Sequence, residues 1–134
     1  MDRIWSQLGV AILSFILLDA VWLGFVMNGF YKRHLAPVAR MSGGILTPIW
    51  PAAALVYPLL AVGIVVFVVA RARSPLEALT LGMLLGLVIY GVYDMTNLAT
   101  LREYPVVLAV VDIAWGAVLC GSTAWITATL TRAG

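Results

Sequence analysis

The order of apolar and polar residues divides this chain into four long apolar runs separated by short polar stretches. The first, about 4–30, opens at Trp5 and closes at Phe30-Tyr31, aromatics of the kind that settle at a membrane–water interface. Lys32-Arg33-His34 then returns the chain to water, and the following loop, with Pro37, Arg40 and Ser42-Gly43-Gly44, reads as irregular. The second run, about 49–70, is anchored by Trp50; Pro58 within it lacks a backbone donor and should bend or restart the helix. Arg71-Ala72-Arg73 closes that run. Ser74-Pro75-Leu76-Glu77 opens the third, about 75–99, with an N-cap serine, a proline at the first helical position and a glutamate three residues after the cap. Arg102-Glu103-Tyr104-Pro105 forms a tight loop into the fourth run, about 105–130. Crossing a hydrocarbon core takes about 20 apolar residues in an α-helix. The pattern therefore predicts an all-α integral membrane protein, a four-transmembrane-helix bundle with short loops, forming a single transmembrane domain over 1–134.

Composition narrows the alternatives. The chain has 134 residues, of which 63% are hydrophobic and 10% charged, against about 25% charged in soluble domains, and its mean hydropathy is +1.06. No room remains for a soluble domain beside four spans. The apolar stretch from Leu8 to Phe30 is longer than the roughly 7–15 residues of a signal-peptide core and contains Asp19, so it reads as a retained span. A net charge of +2 spread over loop residues makes nucleic acid an unexpected partner. Cys120 is alone in an apolar run, which leaves no internal disulfide and no cysteine-based metal cluster. Arg3, Arg71, Arg73 and Arg132 on one side balance Lys32, Arg33, Arg40 and Arg102 on the other, so the positive-inside rule gives a tie. Weighting the first span favours the Lys32-Arg33 side as cytoplasmic.

Charge changes the picture most where it enters the spans. Deep inside them stand Asp19, Asp94 and Asp112, with no Lys or Arg to pair with. Asp19 shares a helical face with Phe15, Trp22 and Leu23; Asp94 with Gly86, Tyr90, Tyr93 and Asn97; Asp112 with Leu108, Trp115 and Gly116. At about 1.5 Å per residue, Asp19 lies on the order of 18–20 Å up the first span. Asp112 lies roughly 10 Å down the fourth, nearly level with it in a core about 30 Å thick. Asp94 and Asn97 lie slightly further out, at about 25 Å or more. The three acids are thus expected in one layer of spans one, three and four, displaced toward the loops that carry Lys32 and Arg102. Carboxylates crowded in an apolar layer repel one another, so a shared-proton cluster is the expected state.

Leu18-Asp19-Ala20-Val21-Trp22-Leu23-Gly24 and Val111-Asp112-Ile113-Ala114-Trp115-Gly116 repeat an Asp-x-x-Trp pattern followed by glycine. In antiparallel spans such a pair is related by a local two-fold in the membrane plane, the arrangement of inverted repeats; chance and convergent helix packing explain it equally well. Together with Phe30-Tyr31 and the run Tyr90-Gly91-Val92-Tyr93-Asp94-Met95-Thr96-Asn97-Leu98-Ala99-Thr100, these motifs resemble the bacterial membrane family DUF2177 over nearly the whole chain, most specifically at Tyr-Asp-x-Thr-Asn-Leu-Ala. The resemblance implies a small four-span multi-pass protein of the bacterial inner membrane and transfers no catalytic mechanism.

Function therefore rests on the residues, and three readings stay open. In the first, Asp94 is the leading acid that exchanges a proton with a small apolar or lipid-like molecule, with Asp19 and Asp112 as its proton partners, Trp22, Tyr90, Tyr93 and Trp115 as walls and Asn97 as an orienting group. In the second, the chain is a proton-coupled exporter acting as a homodimer, for which the small-xxx-small pair Gly82 and Gly86 supplies a close-approach face. In the third, the acids only glue helices together in an accessory subunit. Whether the chain is an enzyme is open, membrane lipid is its expected surroundings, and no cofactor is expected. A metal ion ranks below these readings: oxygen ligands suit a hard cation, but His34 stands alone and reads as interfacial. Tyr57 beside Pro58 either lines the same cavity as the acids or anchors the second span, with the anchor reading ranked first.

Overall fold

The computed structural model describes residues 2–132. Helix α1 (Asp2–Val21) runs on into one wide π-turn over Trp22–Val26, where the Met27 amide donates to the Trp22 carbonyl at 2.8 Å. Met27 leaves helical geometry, at φ −122° and ψ 20°, and a separate short helix α2 (Asn28–Leu35) comes next. The first apolar run thus crosses as Asp2–Val26, and Phe30 and Tyr31 belong to the next element. Gly24, Asn28 and Gly29 are weak helix formers, so a junction forms here at little cost. A π-turn also shifts the helical register by a residue and re-aims the side chains beyond it.

The loop expected to be irregular contains a small hairpin, β1 (Met41–Ser42) paired antiparallel with β2 (Ile45–Leu46). Its turn is Gly43-Gly44, with φ of 58° and 79°, a left-handed pair that glycine adopts without a Cβ clash. Helix α3 (Trp50–Gly63) passes through Pro58 unbroken, so no restart occurs there; the irregularity comes later, as a π-turn over Ile64–Val69. The Arg132 guanidinium closes this end by donating to the carbonyls of Val69, at 3.0 Å, and Ala72, groups a helix terminus leaves without partners.

Helix α4 (Pro75–Thr100) starts as its sequence signals. The Glu77 amide donates to Ser74 Oγ at 3.1 Å, and the Glu77 carboxylate accepts from the Arg73 amide at 2.6 Å, one residue before the cap rather than at it. Helix α5 (Val106–Arg132) completes the bundle. The four spans are Asp2–Val26, Trp50–Val69, Pro75–Thr100 and Val106–Arg132, each long and apolar enough to cross a membrane.

The α4–α5 pair is the most closely packed part of the fold. A Cβ at Gly82 would stand 2.7 Å from both Ala124 Cβ and the Cys120 carbonyl oxygen, and one at Gly86 would stand 2.8 Å from Cys120 Cβ. The ring of Tyr90 lies directly on Gly116. Small residues thus let two backbones touch, which replaces the hydrophobic drive that lipid removes. This also reassigns Gly82 and Gly86: their close-approach face is occupied by α5 of the same chain and offers nothing to a second copy. The outer surface is apolar, with Leu17, Phe25, Leu59 and Val92 all exposed, whereas Gln7, Ser14, Asp94, Thr123 and Thr127 are buried. Polar groups inside and apolar ones outside is the distribution that suits a hydrocarbon solvent.

Span two joins this pair unevenly. Its π-turn meets α4 and α5, while α3 itself packs on α1. The amino-terminal half of span two therefore parts from span three and leaves a cleft.

Gly86→Ala should lower stability by about 1–3 kcal/mol through overpacking, despite its better helix propensity. Gly91→Ala, whose Cβ would meet nothing within 4 Å, should leave stability unchanged or raise it by up to about 1 kcal/mol. Thermal unfolding in detergent micelles followed by circular dichroism checks both; equal midpoints for the two variants would contradict the packing argument.

Candidate functional site

Each intramembrane aspartate accepts a hydrogen bond from a tyrosine. Tyr57, on α3, donates to Asp19 Oδ2 at 2.7 Å. Tyr31, on α2, donates to Asp112 Oδ1 at 3.0 Å. Tyr104, in the loop before α5, donates to Asp94 Oδ1 at 2.6 Å. A phenol supplies a donor without adding a second charge, which suits a medium where a lone carboxylate is costly.

The two Asp-x-x-Trp turns meet. Trp22 and Trp115 stack with centroids 4.4 Å apart and planes 6° from parallel. Each indole then serves the other helix's acid. Trp115 Nε1 donates directly to Asp19 Oδ1 at 2.9 Å, whereas Trp22 Nε1 donates at 3.2 Å to the Tyr31 hydroxyl that in turn reaches Asp112. The two motifs therefore contact each other, with Tyr31 inserted on one side only. The π-turn and the break at Met27 make that insertion, since they carry Tyr31 back onto the bundle.

Asp94 and Asp112 are neighbours, and Asp94 is fully buried. Its second oxygen, Oδ2, has no partner among the described residues. A proton held between the two carboxyls would give that oxygen one, whereas two charges at this range would repel. Asp19 is held by Tyr57 and by Trp115 of the Trp22–Trp115 stack, close enough for its charge to act on Asp112. Asn97 lies near the Tyr93 and Tyr104 hydroxyls. Burial, and then the neighbouring Asp94, pushes the Tyr104 phenol above its ordinary value. Burial likewise raises Tyr31, with Asp112 adding to it. Both remain neutral donors at physiological pH.

A cavity of about 410 Å³ opens beside this layer, in the cleft between spans two and three. Val56 and Leu60 form one wall and Ile89, Tyr90 and Tyr93 the other, with Leu108 and Asp112 at the back. Tyr31 and Tyr104 also border it. Its lining residues Leu23, Val56 and Tyr93 are 38%, 47% and 58% exposed, and all three belong to the candidate spans. Of the eight residues singled out from the sequence, Asp112, Tyr90 and Tyr93 line the cavity. Asp94 adjoins Asp112, and Trp22 and Trp115 form the stack that binds Asp19 and, through Tyr31, reaches the cavity.

Residues 5–129 match a family described as predicted membrane protein, DUF2177. The chain belongs to that family. No curated protein and no solved structure matches it, so the chemistry of this DUF2177 protein has to be argued from its own geometry.

Tyr31, Tyr57 and Tyr104 are the residues that the sequence pattern left aside. Tyr31 reads as an interfacial anchor, Tyr104 as part of a turn, and Tyr57 as an anchor of span two ahead of its reading as a cavity residue. The available signal was stoichiometric: three intramembrane acids and no intramembrane base require neutral donors, and a tyrosine hydroxyl is one.

Tyr57→Phe and Trp115→Phe should each destabilise the protein by about 0.6–1.7 kcal/mol, the range for hydrogen bonds inside membranes. Combined with Asp19→Ala, either should cost less than the sum of the single changes, because one shared contact is lost; strict additivity in a double-mutant cycle would contradict the geometry. The phenols of Tyr31 and Tyr104 should ionise above the ordinary pH of about 10. Their bonds to the acids are then intact below that pH and lost only as it rises through the elevated values. Ultraviolet difference titration of Tyr→Phe variants isolates each phenol, and a phenolate signal from either at pH 9 would contradict the burial argument.

Proposed function

We propose that this protein acts in the bacterial inner membrane as a binding site for a small apolar or lipid-like molecule, which enters sideways from the bilayer between spans two and three and exchanges a proton with Asp112. The observation that carries this reading is the composition of the cavity wall. Apolar and phenolic side chains surround one carboxyl, Asp112, which has a second carboxyl, Asp94, beside it. A volume of about 410 Å³ falls within the roughly 300–1,000 Å³ of small-molecule pockets and holds one chain or a compact molecule rather than a whole two-tailed lipid.

The arrangement supports general acid–base chemistry on an unsaturated chain. A proton held between Asp94 and Asp112 passes to one carbon of a double bond, the faces of Tyr90 and Tyr93 stabilise the cation, and loss of a proton from an adjacent carbon back to the pair yields the shifted double bond. Atoms balance, and the pair is restored. Asp19 takes no part in this step; it positions the Trp22–Trp115 stack and, through Trp22, the phenol of Tyr31. Burial of Gly82 and Gly86 against α5 withdraws the feature that favoured a dimeric exporter.

Purification into phosphatidylcholine nanodiscs followed by organic extraction and mass spectrometry should recover a stoichiometric apolar molecule. Leu60→Trp, which fills the cavity, should remove it; Asp112→Asn should retain binding but abolish any isomer formed on incubation. Infrared difference spectra should show a protonated carboxyl band that Asp112→Asn eliminates. Recovery of nothing from the parent protein, together with the absence of such a band, would leave the acids as helix glue alone.

A further inference from the structure

A shallow, open groove sits at the loop end of span two. Its floor is the first turns of α3, including Ile49, Ala52 and Val56, and its rim is Leu46 of the hairpin and Arg40. Val56 lines this groove and the intramembrane cavity alike. The two are therefore neighbours along a single face of span two, one at the interface and the other at the depth of the acids. From Ile49 to Leu60, which lines the deep cavity, the face extends roughly 16 Å at the helical rise. That is the reach of a medium-length hydrocarbon chain.

The chemistry differs between the ends. Arg40 is the charged group of the outer groove, and Asp112 that of the inner cavity. The segment 27–49, which supplies the outer rim, carries Lys32, Arg33 and Arg40 and no Asp or Glu. Its guanidinium thus has no carboxylate in its own loop, and an arginine presents a planar fork of donors matched to phosphate or carboxylate oxygens. An apolar face whose outer end is cationic is complementary to an amphiphile with an anionic head and a single apolar chain.

We propose that the groove and the cavity are one site for a single-chain anionic amphiphile, with its phosphate or carboxylate head against Arg40 and its chain running past Val56 to Leu60, Ile89 and Asp112. This rests on the lipid-like ligand proposed above and narrows its class. Arg40 selects the head and holds the chain in register, so that the same chain carbons always face Asp112. The hairpin contributes through Leu46, and the Gly43-Gly44 turn that closes it fixes where Arg40 stands relative to α3.

The test uses the full chain in phosphatidylcholine nanodiscs and two probes, dodecyl phosphate and dodecanol, each carrying a photoactivatable diazirine near the chain end. Sites of labelling are mapped by mass spectrometry. Dodecyl phosphate should label Leu60 and Ile89 about fivefold more than dodecanol does, as expected for one basic contact at a membrane surface. Arg40→Gln should erase that preference while leaving dodecanol labelling unchanged, and Arg40→Lys should restore part of it. Leu60→Trp should block both probes. Equal labelling of the cavity by both probes, unmoved by Arg40→Gln, overturns the head-group assignment and leaves the apolar site standing. Competition by methyl phosphate as strong as that by dodecyl phosphate overturns it too, since an anion site would then be independent of the chain. Absence of cavity labelling by either probe overturns both this proposal and the binding reading beneath it.

Discussion

An aspartate at the depth of lipid tails finds no water, so its hydrogen bonds must come from elsewhere in the same fold. That constraint organises this protein. Three acids on three spans, with no intramembrane base to neutralise them, oblige the remaining elements to deliver neutral donors to fixed points. Span two delivers Tyr57, the short helix after span one delivers Tyr31, and the loop before span four delivers Tyr104. Elements that look like connectors are thereby tied to the bundle interior by hydrogen bonds that lipid does not compete for.

The same constraint accounts for the irregular backbone. A straight continuation of span one would carry Tyr31 along with the helix; the π-turn over Trp22–Val26 and the break at Met27 bring it back to Asp112 instead. Likewise, contact between α4 and α5 through Gly82, Gly86 and Gly116 is so close that the larger groups of those helices are displaced to one side, where Tyr90 covers Gly116 and borders the cavity. Tight packing on one side of the bundle and a cleft on the other are complementary. Span two touches α4 and α5 through its π-turn, and its other half stands off, leaving the opening through which the proposed ligand enters.

Much of the architecture was legible in the chain. Span count, the Ser74 cap and the internal placement of the acids follow from hydropathy, spacing and capping chemistry, which act over a few residues or a single helix. The Asp-x-x-Trp repeat was also visible, yet its meaning was not, because one helix cannot show which face another will present. Gly82 and Gly86 illustrate the limit: their spacing requires a close helix neighbour, and whether that neighbour is α5 or a second molecule depends on how the loops fold the chain back. Tyr31 and Tyr104 lay outside the spans and read as anchor and turn, since nothing local distinguishes a phenol that faces headgroups from one that faces inward.

By itself, then, the sequence determined that this is a four-span membrane protein with uncompensated acids in its interior, because the hydrocarbon requirement acts on each span separately and leaves its record in composition and period. Only the tertiary structure decided the pairings: that Asp94 lies against Asp112 while Asp19 joins the tryptophan stack, that a phenol answers each acid, and that Asp112 is the acid facing the cavity. Those outcomes depend on helix rotation and on junctions of a residue or two, where a shift of one position turns a side chain by about 100° and exchanges lipid for protein as its neighbour.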